Sequence, residues 1–154
     1  FGLPPEKTEV VPGAIDITRF DPRRTLPDAR ARLGLTADAC VIGIVARMQT
    51  HRHFEDLLQA MRRVVDELPE ARLLIIGRGT HQEKVAMEPA RKLGLDGRVI
   101  FTGYIEGDDF VAAIQAMDVG VYLVPGSDGK GVVKVPVAEL LPNKYDRFVD
   151  RPRI

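Results

Sequence analysis

Arg47 and Arg52 stand five residues apart, just after the apolar run 40–46. A helical pattern opens directly behind them at His53 or Phe54. Two guanidinium groups beside a helix N-terminus, which carries about half a positive charge, are suited to holding a diphosphate. The plainer reading leaves both arginines as ordinary solvated side chains. Gly77, Arg78 and Gly79 close a second apolar run, where glycines let the backbone approach a ligand or simply turn the chain. No third glycine completes a dinucleotide fingerprint. Gly103, Tyr104 and Ile105 follow a third run and are able either to shape a pocket for a flat base or to form a turn. Ser127 and Asp128 lie in the turn 125–129, where backbone N–H groups and one carboxylate can meet a sugar or ribose. Glu139 comes eleven residues after Asp128. His51 and His53 form a His-x-His pair without a third or fourth ligand, so no metal site is expected.

The elements that must position these residues alternate along the middle of the chain. Runs 40–46, 71–77, 98–102 and 119–124 are short, rich in Val and Ile, and apolar on both faces, as parallel strands covered on each side must be. Between the first two, Phe54, Leu57, Leu58, Met61, Val64, Val65 and Leu68 recur at the spacing of one helix face, and Pro69 ends that helix. The stretch 81–93 is helical in pattern but holds Pro89, which predicts a kink or two short pieces, with Gly94 as the stop. Asp108 or Asp109 is placed to cap a helix carrying Phe110, Ile114 and Met117. This order predicts an α/β fold, a Rossmann-like doubly wound parallel sheet whose ligands bind at the C-terminal strand edge. The expected organisation is a leading segment over 1–39, with a strand-like run 8–11 and a short helix over 28–33. A Rossmann-like domain over 40–142 and an irregular tail over 143–154 complete it.

Composition narrows the class. The chain has 154 residues, 22 basic and 22 acidic, with no tryptophan. A net charge of zero argues against a dedicated nucleic-acid binder, and no apolar run is long enough to span a membrane. One cysteine, Cys40, makes neither an internal disulfide nor a cysteine metal cluster, which fits a reduced cytoplasmic protein.

The ordered set of these segments resembles the C-terminal, donor-binding half of group 1 retaining nucleotide-sugar glycosyltransferases of the GT-B type. The similarity starts at Val10, Val11, Pro12, Gly13 and Asp16, with Arg19, Phe20 and Pro22 behind them. It continues through Ile42 to Met48, Leu57 to Ala60, Ala71 to Gly77, Arg98 to Tyr104 and Met117 to Val119. The resemblance implies that Arg47 and Arg52 neutralise the donor's diphosphate, Arg52 standing where the family has lysine. It implies that Gly77, Arg78, Gly79, Gly103, Tyr104 and Ile105 line the nucleotide pocket. It further implies that Asp128 orients the donor sugar. The substrate is then a nucleoside diphosphate sugar, with no separate cofactor and no metal.

The chain also departs from that family. A second carboxylate is expected eight positions after Asp128, but Pro136 stands there, and Glu139 is three residues out of register. The expectation is therefore a truncated or altered domain, inactive alone, whose partner is a missing N-terminal acceptor domain. Any membrane association would come from that half. Two alternatives stay open: a non-catalytic nucleotide-binding or structural fragment, and a sugar-nucleotide epimerase domain.

Overall fold

In a computed structural model, residue 13 and residues 15–125 and 131–134 are described. Helix α1 (Ala29–Arg32) starts where Asp28 accepts the Ala31 N–H at 3.2 Å. Strand β1 (Cys40–Val45) leads through a 3-10 turn (Thr50–Arg52) into α2 (Phe54–Glu67). Strand β2 (Ala71–Ile76) leads through a π turn (Glu83–Met87) into α3 (Glu88–Lys92). Strand β3 (Val99–Gly103), helix α4 (Gly107–Gln115) and strand β4 (Val119–Gly120) follow. Strands β5 (Tyr122–Pro125) and β6 (Gly131–Lys134) form an antiparallel hairpin.

The four parallel strands lie in the order β3-β2-β1-β4. Strands β1 and β2 run in register from Cys40 beside Ala71 to Val45 beside Ile76. Helices sit on both faces, because successive β2 side chains point to opposite sides. Leu73 and Ile75 meet Phe54, Leu57, Leu58 and Met61 of α2 together with Ala86 and Ala90. Leu74 and Ile76 meet Ala113 and Met117 on the other face. Phe54 and Leu58 are almost wholly buried, each contributing about 1.5–3 kcal/mol. The doubly wound architecture is thus as the alternating runs predict.

Pro89 falls in the first turn of α3, where its missing N–H is harmless, and the π turn ahead of it absorbs the change in helical winding. Helix α3 ends with Gly94 at φ +65°, the Leu95 N–H reaching back to the Ala90 carbonyl at 3.0 Å.

Two expectations need correction. The fourth run is not one strand. Only Val119 and Gly120 pair with β1, and from Tyr122 the chain leaves the parallel sheet to pair with β6. Asp108 and Asp109 do not cap α4. The N-cap is Glu106, without a side-chain cap bond, while Asp108 pairs with Arg24 at 3.0 Å and Asp109 with Arg32 at 2.7 Å. Ion pairs to the leading segment and α1 thereby take over these carboxylates. The run 8–11 and the tail 143–154 lie outside the described residues.

Cys40 is buried at the start of β1, and burial pushes its thiol up, with the Asp118 and Glu70 carboxylates adding to the effect. A thiol held up in this way carries little thiolate. A thiol reagent such as dithionitrobenzoate is expected to label Cys40 only at the rate of unfolding; rapid labelling of the native chain would contradict its burial.

Candidate functional site

The loops after β1, β2 and β3 meet at the C-terminal edge of the sheet around a cleft of about 840 Å³. That volume is within the range of small-molecule sites. Arg47 enters from the loop after β1. Its neighbour Met48 is 1% exposed and packs into the core beneath α2, while Arg47 itself is exposed. The buried methionine anchors the loop and leaves the arginine outside. Arg47 makes no ion pair or hydrogen bond with a described residue.

Gly77, Arg78 and Gly79 form the middle of the cleft. Glycine is required here by close approach to the neighbouring loop. A Cβ on Gly77 would sit 2.4 Å from the Ala46 carbonyl oxygen, and one on Gly79 2.1 Å from that of Met48. Gly77 also has φ +130° and donates its N–H to the Gly103 carbonyl at 2.9 Å. The second loop thus lies against the backbone that carries Arg47, and Gly103 holds it from the other side.

Tyr104, Ile105 and Glu106 close the third flank. The Arg78 guanidinium lies 5.4 Å from the Tyr104 ring centroid, and the Tyr104 hydroxyl donates to Glu106 Oε2 at 3.2 Å. Phe110 of α4 and Arg19 of the leading segment complete the wall. Asp16 folds the Arg19 loop by accepting the N–H groups of Thr18 and Arg19 at 2.9 and 3.2 Å. The Arg19 guanidinium lies 5.5 Å from the Phe20 ring centroid, and Phe20 meets Phe110 edge-on at 6.2 Å. Among the described residues, three arginines and one carboxylate therefore line the cleft, which suits an anion with an attached flat, partly apolar group.

Among the expected site residues, Arg47, Gly77, Arg78, Gly79, Tyr104 and Ile105 are brought together here. Gly103 stands behind the lining as a backbone partner of Gly77. Arg52 does not line this cleft. It ends the 3-10 turn half-buried, and its Nε finds no acceptor among the described residues. Among the described residues, the arginines lining the cleft beside Arg47 are Arg78 and Arg19. Ser127, Asp128 and Glu139 lie outside the described residues. Arg19, Glu106 and Phe110 were not among the expected site residues. Arg19 belongs to the resemblance, yet no strand or helix pattern marks it as cleft-facing.

A family model described as glycosyl transferases group 1 matches residues 39–139. The chain belongs to the group 1 glycosyl transferases. Its match to that family covers every strand of the sheet and all three loops of the cleft. A D-inositol 3-phosphate glycosyltransferase of Corynebacterium urealyticum is 33% identical over 118 residues, covering 71% of this chain and 28% of that protein. A GDP-mannose-dependent phosphatidylinositol monomannoside mannosyltransferase of Corynebacterium glutamicum is 30% identical over 115 residues, covering 72% and 29%. The chain thus spans under a third of the length of these curated relatives. Among solved structures, Alr3699/HepE of Anabaena in complex with UDP and glucose aligns with a TM-score of 0.64 at 22% identity, over 81% of this chain and 34% of that one. The C-terminal domain of the group 1 protein LpcC of Francisella tularensis aligns at 0.56 and 20% identity, over 70% and 57%. Both likenesses establish the GT-B type of Rossmann-like fold for this group 1 chain. No helix among the described residues is long and apolar enough to cross a membrane.

Proposed function

We propose that this chain is the donor-binding part of a glycosyltransferase and that its cleft holds the nucleoside diphosphate of an activated sugar. The reading rests foremost on three arginines facing one cleft at the C-terminal sheet edge of a group 1 family member. HepE, solved also in complex with UDP-glucose, and the GDP-mannose-dependent C. glutamicum relative support a nucleotide sugar as ligand.

In this reading Arg47 and Arg78 meet the phosphates, and Tyr104, Ile105 and Phe110 border the base. Breaking the sugar–phosphate bond builds negative charge on the departing diphosphate. Preorganised guanidinium groups stabilise that charge as it develops, without a proton transfer of their own. Asp128 acting on the donor sugar, and Arg52 as a second phosphate ligand, belong to the same proposal by resemblance. The epimerase alternative calls for a histidine at the crevice, and His51, His53 and His81 do not line it.

Thermal melts of the chain with nucleoside diphosphates and with plain nucleosides test the proposal. A nucleoside diphosphate at a hundredfold its dissociation constant stabilises by about 2.7 kcal/mol and raises the melting temperature, whereas nucleosides do little. Because Arg47 is exposed, Arg47→Ala is expected to leave the melt unchanged and weaken diphosphate binding about tenfold, the scale of one charged hydrogen bond. Equal affinity in wild type and Arg47→Ala would remove Arg47 from the phosphate site.

A further inference from the structure

We propose that Glu106 reads the base of the bound nucleotide and selects guanine; the assignment rests on the nucleotide reading above. Glu106 is the one carboxylate among the described residues lining the cleft. A carboxylate repels phosphate, so the phosphates lie away from it, toward Arg47. The strand order fixes how far away. The loops after β1 and β3 are separated by β2, and neighbouring strands lie about 4.8 Å apart, which puts the two loops about 10 Å apart. A nucleoside diphosphate reaches across such a gap, its phosphates at one end and its base at the other.

The chemistry at the Glu106 end distinguishes the bases. A carboxylate only accepts hydrogen bonds, and its two oxygens lie side by side. Guanine presents two adjacent donors, N1–H and the N2 amino group, and so matches both oxygens. Uracil presents one N–H between two carbonyl oxygens, both of which a carboxylate repels. Adenine presents its amino group beside a ring acceptor. The Tyr104 hydroxyl, donating to Oε2 at 3.2 Å, holds the carboxylate in place, and Arg78 over the Tyr104 ring braces the tyrosine. Arg19 borders the same end through Phe20 and Phe110 and supplies N–H donors of the kind that guanine O6 and N7 accept.

Isothermal titration of the chain with GDP, IDP, UDP and ADP tests this. IDP differs from GDP only in lacking the N2 amino group. The wild type is expected to bind GDP about tenfold more tightly than IDP, UDP or ADP, the scale of a hydrogen bond to a charged group. In Glu106→Gln the GDP advantage over IDP should shrink to about twofold while UDP binding changes little. Glu106 is exposed, so the variant's melt should match the wild type; the GDP–IDP comparison in the wild type stands independently of any variant. GDP and IDP binding alike, or Glu106→Gln weakening all four equally, would overturn the assignment while leaving nucleotide binding intact. Binding of none of the four would overturn both readings.

Discussion

Asp118→Ala is expected to destabilise the fold by about 3 kcal/mol, lowering the melting temperature by about 10 °C. Asp118 sits just before β4 at the sheet edge opposite the cleft, with its side chain 12% exposed. Its Oδ2 accepts the buried Val41 N–H at 2.8 Å and meets Arg30 Nη1 at 3.3 Å, and its own N–H donates to the Val41 carbonyl at 2.8 Å. Arg30 reaches from α1 and also donates to the carbonyls of Ala116, Thr36 and Ala39. One carboxylate therefore ties α1, β1 and β4 together. Alanine leaves the Val41 N–H without this acceptor and a half-buried guanidinium without this anion. Removing one partner of a buried pair costs about 3–5 kcal/mol; the low end applies because Arg30 keeps its three carbonyl acceptors. Asp118→Asn, which can still accept from Val41, should lose less. Nucleotide affinity of the folded protein should not change, since the pair is remote from the cleft. A melting shift under about 2 °C for Asp118→Ala would show that solvent already screens the pair.

Gly77→Ala is expected to cost about 3 kcal/mol and, unlike Asp118→Ala, to weaken nucleotide binding in the molecules that stay folded. Two penalties combine. A side chain at φ +130° is strained by about 1–3 kcal/mol. The new Cβ would also meet the Ala46 carbonyl oxygen at 2.4 Å, and overpacking against rigid groups costs about 1–3 kcal/mol. The atom in the way is backbone, so relief requires moving the loop that bears Arg47. Gly94→Ala is the control. Gly94 also has positive φ, but nothing lies within 4 Å of its Cβ position, so only about 1–2 kcal/mol of backbone strain is expected and no change in affinity. Denaturant melts and titrations of the two variants separate the effects. Gly77→Ala with unaltered affinity would show that the two loops move independently of the site.

The amino-acid sequence alone determined the doubly wound sheet. Val and Ile runs such as 40–46 and 71–77 and the one-faced helix carrying Phe54, Leu58 and Met61 are local patterns, and right-handed crossovers leave little choice of topology for them. The cleft's strand-edge position followed from that topology, and Arg47, Arg78, Tyr104 and Ile105 are legible because they directly follow strands. What escaped depends on contacts between segments distant in sequence. Asp108 and Asp109 look like caps until Arg24 and Arg32 arrive from some eighty residues away. Arg19 belongs to an irregular segment and becomes a cleft residue only because Phe20 docks on Phe110. The packing of Gly77 and Gly79 against the backbone of Ala46 and Met48, more than thirty residues earlier in the chain, is likewise invisible to local pattern. Tertiary structure alone decided which charges face the cleft and which are consumed by neighbouring elements, because periodicity encodes burial along one element but carries no record of the partners other elements bring to it.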